Sequence, residues 1–315
     1  MTDHAGGSRR AFLRAAGVAG VAGVAGCLGG SGTNGTSTSP SASDDAVSIL
    51  AAGSLQHALS EGLADAVDVP LEVETHGSAT VARLISEGQR DPDVVTVADT
   101  ALFESPLSPP WYSVFTSNAV VLAYDPDTAG GRAVADAENW YDPLIAGDAA
   151  LGRTDPDQDP LGYRTLFALD LASRYYGVDG LRERLLSRDQ TYQESGLVSR
   201  FETGSIDAAF AYRNMAVERG YEYVSLPDQI NLSDPAYADD WYETVSYELP
   251  SGQVVTGGLI SYGSTVRHDR ESVRVVFAAE TTGDYLADAG FLSRDAFPEY
   301  VGDAPASVRD ATRGT

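Results

Sequence analysis

The chain has 315 residues and a formal net charge of −25, and all of its 21 basic residues are arginine, against 46 acidic residues. This balance argues against nucleic acid as a partner, because phosphate binding needs clustered Lys or Arg. With 43% hydrophobic and 9% aromatic residues, the chain can bury a core and is not a disordered segment. The lysine-free acidic composition predicts adaptation to molar salt, and the length predicts one large or two medium domains.

The N-terminus has the organisation of an export signal. Arg9 and Arg10 precede a weakly apolar Ala/Gly/Val run, which is too short and too mild for a stable membrane span. The run ends at Cys27, the only cysteine, and the small residues before it are typical of a lipoprotein cleavage site. We therefore predict a twin-arginine signal peptide over residues 1–26, then a lipidated Cys27 and a flexible Gly/Ser/Thr-rich tether over residues 27–46. A secreted chain with an incidental cysteine is the alternative.

In the segment that follows, short apolar runs end in small polar turns that open helical patterns. A buried strand is predicted over residues 47–50, and it leads to Ser54 as the N-cap of a helix with leucines at helical spacing. A second strand over residues 71–75 leads in the same way to Ser78, and a third strand follows over residues 93–98. The order strand, turn, helix, strand is typical of a parallel sheet.

The second half of the chain continues the alternation of strands and helices. Further strands are predicted over residues 119–124, 208–212, 223–226 and 259–266, and helices over residues 163–176, from Glu194 and over residues 273–279. Residues 125–147 receive no regular element, and residues 152–160 are predicted to be a Pro/Asp turn. Two α/β lobes fit this pattern better than one long sheet. Ligands of open α/β sheets bind beyond the carboxyl ends of the strands. Four polar residues are expected there: Ser54, Ser78, Asp159 and Glu194.

Signals for catalysis or covalent modification are sparse. The four histidines share no metal-ligand spacing, and residues 258–263 are one residue out of register for a nucleophile elbow. Ser78 beside His76, or the carboxylates of Asp155 and Asp159, keep a membrane-anchored hydrolase as the alternative from another function class. The sequence otherwise predicts a binding protein that is not an enzyme. Two Asn-x-Ser/Thr triplets are possible glycosylation acceptors, at Asn34 and Asn231.

Several short motifs occur in the order in which one protein family has them. They are Ala52–Leu55, Gly77-Ser78, Asp99 after a strand, Asp155–Arg164, Gly204–Asp207, Tyr212-Arg213 and Leu226–Leu232. From residue 47 to its end the chain resembles the archaeal tungstate/molybdate-binding proteins of ABC importers, which are periplasmic-type binding proteins. The motifs Asp-Pro-x-Gly-Tyr-Arg and Leu-Pro-x-x-Ile-Asn-Leu are the specific part of this resemblance.

The resemblance implies an α/β fold of the type II periplasmic-binding-protein class, with two lobes, each a mainly parallel sheet flanked by helices, joined by two crossover strands. Lobe 1 is expected over residues 47–116 and 256–315 and lobe 2 over residues 117–255, with crossover strands near residues 114–119 and 252–258. It also implies a monomer without a cofactor, which captures tungstate or molybdate at the extracellular face of the cell membrane. Its partners would be a membrane permease and a cytoplasmic ATPase.

The same resemblance implies roles for five residues of the cleft. Ser54 and Ser78 hold the oxyanion through hydroxyl and backbone N–H groups. Asp159 and Glu194 approach the central tungsten or molybdenum atom as ligands. The Tyr212 hydroxyl lines the cleft.

Two carboxylates beside an anion need a physical reason. At about 4 Å, a carboxylate repels an oxyanion charge by roughly 4 kcal/mol at an effective dielectric constant of about 20. Tungsten and molybdenum can expand beyond four ligands and bond such carboxylates, whereas sulfur in sulfate and phosphorus in phosphate do so poorly. Three alternatives stay open: Asp155 in place of Asp159, simple helix-terminal roles for the serines and Glu194, and a receptor for another small anion.

Overall fold

The computed structural model describes residues 46–250 and 252–313, whose strands form three sheets. The strands are β1 Val47–Ala52, β2 Leu71–His76, β3 Val94–Val97, β4 Trp111–Ser117, β5 Val120–Tyr124, β6 Leu151–Thr154, β7 Gln190–Tyr192, β8 Ala208–Tyr212, β9 Glu222–Ser225, β10 Ser246–Glu248, β11 Val254–Thr256, β12 Ser261–Val266 and β13 Glu299–Gly302. The expected signal peptide, Cys27 and Asn34 lie outside the described residues. None of the described helices is long and apolar enough to span a bilayer.

Helices connect most of these strands. The α-helices are α1 Ala64–Ala66, α2 Ser78–Ser86, α3 Ala101–Glu104, α4 Ala129–Asp136, α5 Asp142–Ala146, α6 Pro160–Tyr176, α7 Leu181–Leu186, α8 Glu194–Glu202, α9 Arg213–Arg219, α10 Asp228–Asn231, α11 Glu271–Thr282, α12 Tyr285–Asp288 and α13 Ala306–Arg313. Short 3₁₀ turns occur at Gly53–Leu55, Pro235–Tyr237 and Tyr242–Thr244, and Ala58–Leu63 is wound as a π-helix.

The two larger sheets form a two-lobed α/β fold, as predicted. The six-stranded sheet has the order β13-β4-β12-β3-β1-β2, and the five-stranded sheet has the order β7-β6-β8-β5-β9. In the part of the chain described, β1 is parallel to β2 and β3, and β6 is parallel to β7 and β8. The other pairings in these two sheets are antiparallel. The expectation of mainly parallel sheets is therefore corrected to mixed sheets.

The passage of the chain between the two sheets explains part of this mixture. β4 ends in the six-stranded sheet, and only Asn118 and Ala119 separate it from β5 in the five-stranded sheet. The chain returns from β11 through residues 257–260 to β12, which pairs with β4. Since β4 leaves towards the other lobe and β12 comes back from it, the two strands run in opposite directions.

Helix α6 begins between the two larger sheets. Asp159 is its N-cap, and the Asp159 carboxylate accepts a hydrogen bond from the Leu161 N–H at 2.8 Å. Pro160 occupies the first helical position, where a missing N–H costs no intrahelical bond, and Gly177 ends the helix with a φ of 63°. Residues 161–169 are all buried, so packing on every side holds the start of α6 in place.

Two helices occupy the segment that the sequence left without a regular element. α4 and α5 lie within residues 125–147, and the Thr128 hydroxyl caps α4 by accepting from the Gly131 N–H at 2.9 Å. Gly130 and Gly131 serve close packing here. A Cβ on Gly131 would lie 1.9 Å from the Asp125 carbonyl oxygen. Strand β6 likewise overlaps the segment predicted to be a Pro/Asp turn.

Asn231, one of the two possible glycosylation acceptors, is buried. Its Nδ2 donates to the Leu226 carbonyl oxygen at 3.1 Å, and its Oδ1 accepts from the Ser233 N–H at 2.9 Å. A glycan on Nδ2 would break the first of these bonds and would need space in the protein interior. The folded chain therefore offers no accessible acceptor at this position.

Glu280 is a fully buried carboxyl group next to the six-stranded sheet. The Thr96 and Ser264 hydroxyl oxygens lie 2.6 and 2.9 Å from its two carboxyl oxygens, and the two hydroxyl oxygens are 2.9 Å apart. Two hydroxyl protons cannot satisfy three contacts, so a proton kept on Glu280 completes the ring of hydrogen bonds. In agreement with this, burial raises the pKa of Glu280 to about 7.

We expect the stability of the fold to decrease as the pH rises from about 5 to about 8. A carboxyl pKa raised in the folded state stabilises the fold below the unfolded pKa, and this contribution is lost as the pH rises through about 7. Glu280→Gln removes the charge and keeps a donor, so at pH 8 its free energy of unfolding should exceed the wild-type value by ~1–3 kcal/mol. Urea unfolding at pH 5 and pH 8 measures this, with exposed Glu271→Gln as the control. Equal pH dependence in the wild type and in Glu280→Gln would contradict the expectation.

Candidate functional site

A small cavity lies between the two larger sheets, near the carboxyl ends of β1, β3 and β8. It is lined by Ala52, Gly53, Ser54, Gly77, Ser78, Ala98, Asp159, Pro160, Leu161, Glu194 and Tyr212. The five residues that the sequence assigned to a cleft are therefore all at one cavity. Measured to the centre of a water molecule, the cavity volume is about 20 Å³, which leaves room for one compact ion.

The Ser78 hydroxyl is oriented by the neighbouring strand. Ser78 is the first residue of α2 and is 2% exposed. Its Oγ accepts a hydrogen bond at 3.0 Å from the N–H of Ala98, the residue that follows β3. Because the oxygen accepts from this side, the Ser78 hydroxyl proton is available to a ligand in the cavity.

The Ser54 hydroxyl is oriented by a chain of two donors. The Asn118 Nδ2 donates to the Tyr262 hydroxyl at 3.1 Å, and the Tyr262 and Ser54 hydroxyl oxygens are 3.0 Å apart. The Asn118 amide has a fixed orientation, because its Oδ1 accepts from the Ala119 N–H at 2.9 Å. The bond from Asn118 leaves the Tyr262 proton free to be donated to Ser54, and in that arrangement the Ser54 proton is available to the cavity.

The Tyr212 hydroxyl is oriented by an arginine. Tyr212 ends β8 and is 4% exposed, and the Arg164 Nη1 donates to its hydroxyl oxygen at 2.7 Å. Burial raises the pKa of Tyr212, so the hydroxyl keeps its proton. That proton is the third donor available at the cavity.

The three hydroxyls together describe the hydrogen bonding that a ligand must provide. Each oxygen can accept a bond from behind, so the proton of each hydroxyl can be donated towards the cavity. Helices α2, α6 and α8 also begin at the cavity, so the positive ends of three helix dipoles meet there. An anion with acceptor oxygens on all sides suits this arrangement.

Two carboxyl groups share the cavity with these donors. Burial raises the pKa of Asp159, whose carboxylate caps α6. Burial and the negative charge of Asp159 raise the pKa of Glu194, the first residue of α8, to about 7. A Cβ on Gly53 would lie 3.7 Å from the Glu194 Oε2, so this carboxyl group reaches the loop after β1. Within residues 46–250 and 252–313, no three His, Cys, Asp or Glu side chains are grouped to hold a resident metal ion.

Asp155, the competing candidate for Asp159, belongs to the turn before α6. Its Oδ1 accepts from the Asp157 N–H at 3.0 Å, and its Oδ2 accepts from the Gln158 Nε2 at 2.7 Å. It is not among the residues that line the cavity. Asp155 therefore shapes the loop that presents Asp159.

The Ser78–His76 arrangement considered for a hydrolase is not assembled. The His76 Nε2 is 2.7 Å from the Glu74 Oε1 at a partly exposed position. The Ser78 Oγ instead accepts from the Ala98 N–H. No hydrogen bond links the His76 ring to the Ser78 hydroxyl among the contacts of the described residues.

Hydrogen bonds join the two lobes at two places near the cavity. The Arg164 Nη2 donates to the Ala98 carbonyl oxygen at 3.1 Å, and the Tyr163 hydroxyl donates to the Asp99 Oδ2 at 2.9 Å. At a second place, the Asn214 Nδ2 donates to the Ser54 carbonyl oxygen at 2.7 Å.

Sequence reasoning missed the supporting residues Arg164, Asn118, Tyr262 and Asn214. Each acts on a residue more than forty positions away in the chain, and such pairings leave no periodic pattern. Arg164 alone had a visible signal, because it ends the motif Asp-Pro-x-Gly-Tyr-Arg at the start of α6.

Comparisons of sequence identify relatives. Residues 47–243 match the family model for bacterial extracellular solute-binding proteins. The chain is 54% identical over 262 residues to a Haloferax volcanii protein named "Putative ABC transporter molybdenum-binding protein", covering 82% of this chain and 85% of the relative. It is 31% identical over 232 residues to the "Molybdate/tungstate-binding protein" of Thermococcus kodakarensis, covering 64% of each chain.

Comparison of structures identifies the same architecture. The fold is similar to that of the periplasmic molybdate-binding protein of Azotobacter vinelandii, with a TM-score of 0.53. The likeness covers 79% of this chain and 100% of the other, at 14% sequence identity. At that identity the likeness concerns the fold alone.

Proposed function

Because this chain belongs to the family of bacterial extracellular solute-binding proteins, we propose that it captures a small solute for an ABC importer. We propose that this solute is tungstate or molybdate. The names of relatives at 54% and 31% identity support the ligand class. The observation that supports the proposal most directly is the presence of Asp159 and Glu194 in the same small cavity as three hydroxyl donors. Ser54, Ser78 and Tyr212 would bind the oxygens of the anion.

The carboxylates make a simple electrostatic anion site a poor explanation. An ionised carboxylate about 4 Å from a dianion costs several kcal/mol, even at the moderate effective dielectric of a partly buried site. Bonds from Asp159 and Glu194 to a tungsten or molybdenum centre would offset this cost. The same two groups would repel sulfate, whose sulfur does not accept further ligands, so they would also provide specificity.

The remaining features of the proposal concern where the chain works. We propose export through the twin-arginine signal, a lipid anchor at Cys27 and a position at the extracellular face of the membrane. A permease and its cytoplasmic ATPase would receive the anion from the lobes, which would be residues 47–116 with 256–315, and residues 117–255. Rotation of the lobes about residues 114–119 and 252–258 would close them on the anion. The chain itself would act as a monomer, without a cofactor and without catalysis.

Calorimetric titration of the globular body at molar salt tests the ligand. We expect tungstate and molybdate to bind at least about 100-fold more tightly than sulfate or phosphate, which corresponds to ~2.7 kcal/mol. Equal or tighter binding of sulfate would contradict the coordination by two carboxylates.

Hydrogen phosphate is the second candidate, for a specific reason. It carries an O–H group at neutral pH, and a carboxylate such as Asp159 or Glu194 can accept its proton. In the same titration, tight binding of phosphate with weak binding of tungstate would favour this candidate. Arsenate, which carries the same O–H group, should then bind like phosphate.

A further inference from the structure

We propose that Arg164 is a positioning residue for the bound anion, which orients the Tyr212 hydroxyl and connects it to the contact between the two lobes. The inference deepens the proposed function and rests on it only in taking the ligand to be a small oxyanion. Arg164 does not line the cavity, so it would act through Tyr212 and through the closed arrangement of the lobes.

Arg164 is placed where a charge needs several partners. It lies in α6, one turn after Asp159, and at 5% exposure it is the most buried arginine of the described residues. An unpaired guanidinium at such a depth is strongly unfavourable, because it has lost its water and has no replacement. The partners that it has therefore determine which arrangement of the lobes is stable.

Its partners belong to both lobes. The Nη1 donates to the Tyr212 hydroxyl at 2.7 Å, within the lobe of the five-stranded sheet. The Nη2 donates to the Ala98 carbonyl oxygen at 3.1 Å and is 3.5 Å from the Asp99 Oδ2, both beyond the end of β3 in the other lobe. The planar guanidinium fixes the angle between these bonds, which a lysine could not do.

The first of these bonds acts on the ligand. By donating to the Tyr212 oxygen, the cation leaves the phenolic proton as the group that faces the cavity and makes it a stronger donor. The nearby Asp159 and Glu194 are acidic, so Arg164 also supplies the positive charge behind the site. An anion bound to Tyr212 is thereby supported by a cation that it does not touch.

The second set of bonds acts on lobe closure. The Ala98 backbone contacts both residues. Its carbonyl oxygen accepts from Arg164 at 3.1 Å, and its N–H donates to the Ser78 Oγ at 3.0 Å. Separation of the lobes would take Ala98 and Asp99 away from a buried guanidinium. The arrangement that satisfies Arg164 is therefore the one in which Ser78 and Tyr212 face the same anion.

A double-mutant cycle tests whether Arg164 acts through Tyr212. We expect Tyr212→Phe to weaken tungstate binding about tenfold and Arg164→Met to weaken it by at least as much. The double variant should bind no more than about twofold more weakly than Arg164→Met. If the loss of affinity in the double variant equals the product of the two single losses, the proposal is wrong. Arg182→Met removes an arginine paired with Asp170 in the same lobe and is the control, with wild-type affinity expected.

Asp99→Asn gives a second measurement that holds even if Arg164→Met fails to fold. It removes the negative charge that faces Arg164, keeps an amide oxygen that can accept from the Tyr163 hydroxyl, and leaves the bond to Tyr212 intact. We expect a loss of affinity by the same factor for tungstate and sulfate, and a smaller decrease in the radius of gyration by X-ray scattering when tungstate is added. Unchanged affinity and compaction would overturn the part of the proposal that concerns closure.

The wild-type titration separates this inference from the proposed function. If the wild type binds sulfate and not tungstate, the proposed function is wrong, and the cycle is measured with sulfate. A non-additive cycle would then still support the role of Arg164. If neither anion binds the wild type, both the function and the inference are wrong.

Discussion

Glu194→Gln is expected to weaken tungstate binding by about 100-fold or more and to strengthen sulfate binding. Loss of a charged partner in a desolvated site typically costs ~2–5 kcal/mol, whereas removal of a repulsive charge benefits an anion that cannot accept the carboxylate as a ligand. Calorimetric titration of both anions measures the two effects. Asp159→Asn should act in the same direction, with an additional loss of stability because its carboxylate also caps α6.

The pH dependence of selectivity gives an independent check on Glu194. Its pKa is raised to about 7 by burial and by Asp159, so it gains its charge as the pH rises through this value. Under the proposed function, the ionised form would bond tungsten and repel sulfate. The ratio of tungstate to sulfate affinity should therefore increase between pH 6.5 and pH 8.5.

Glu218→Gln is a matched control for this experiment. Burial also raises the pKa of Glu218 to about 7, yet this residue does not line the cavity. The pH dependence should persist in Glu218→Gln and disappear in Glu194→Gln. If the ratio is flat in the wild type, or if Glu194→Gln keeps the wild-type slope, Glu194 is not a ligand and its position at the start of α8 serves the helix.

Gly162→Ala should damage both stability and binding although the change adds a single methyl group. A Cβ on Gly162 would lie 2.5 Å from the Asp155 carbonyl carbon and from the Pro156 nitrogen, which are backbone atoms. Relief of that contact must move the turn that carries Asp159. We expect a loss of about 1–3 kcal/mol in the free energy of unfolding and a clear loss of tungstate affinity.

Gly196→Ala is the control for this substitution. Gly196 lies within α8, and a Cβ there would be 3.7 Å from the Tyr192 Cβ, an ordinary contact distance. Alanine is the better helix former, so this variant should be about as stable as the wild type or more stable by up to about 1 kcal/mol. Thermal unfolding compares the two variants. Similar melting temperatures for Gly162→Ala and the wild type would show that the turn adjusts easily.

The sequence predicted the parts of the fold that depend on local patterns. β1, β2, α2 and the helix from Glu194 were predicted because apolar spacing and polar turn residues mark them. α4 was missed because the segment over residues 125–147 is polar and was given no regular element. Gly131 leaves room for the backbone of Asp125, and Gly130 leaves room for the side chain of Asp207, which is far away in the chain.

The residues of the candidate site fall into the same two groups, those marked by a local pattern and those that depend on distant partners. Ser54, Ser78 and Glu194 follow strands or open helices, so local pattern and resemblance suffice to predict them at one cleft. The direction in which each hydroxyl donates depends on Asn118, Arg164 and other partners from different strands and helices. Strand direction also depends on these long-range connections, which explains why mixed sheets were not predicted.

The bond from the Asn214 Nδ2 to the Ser54 carbonyl oxygen has a consequence for the rate of release. Asn214 and Ser54 belong to different lobes, so this bond and those of Arg164 would have to open before the lobes could separate around an enclosed anion. The residence time would then be set by the opening of the lobes and much less by the strength of the bonds to the anion. A membrane partner that pulls the lobes apart would shorten that time without touching the ligand.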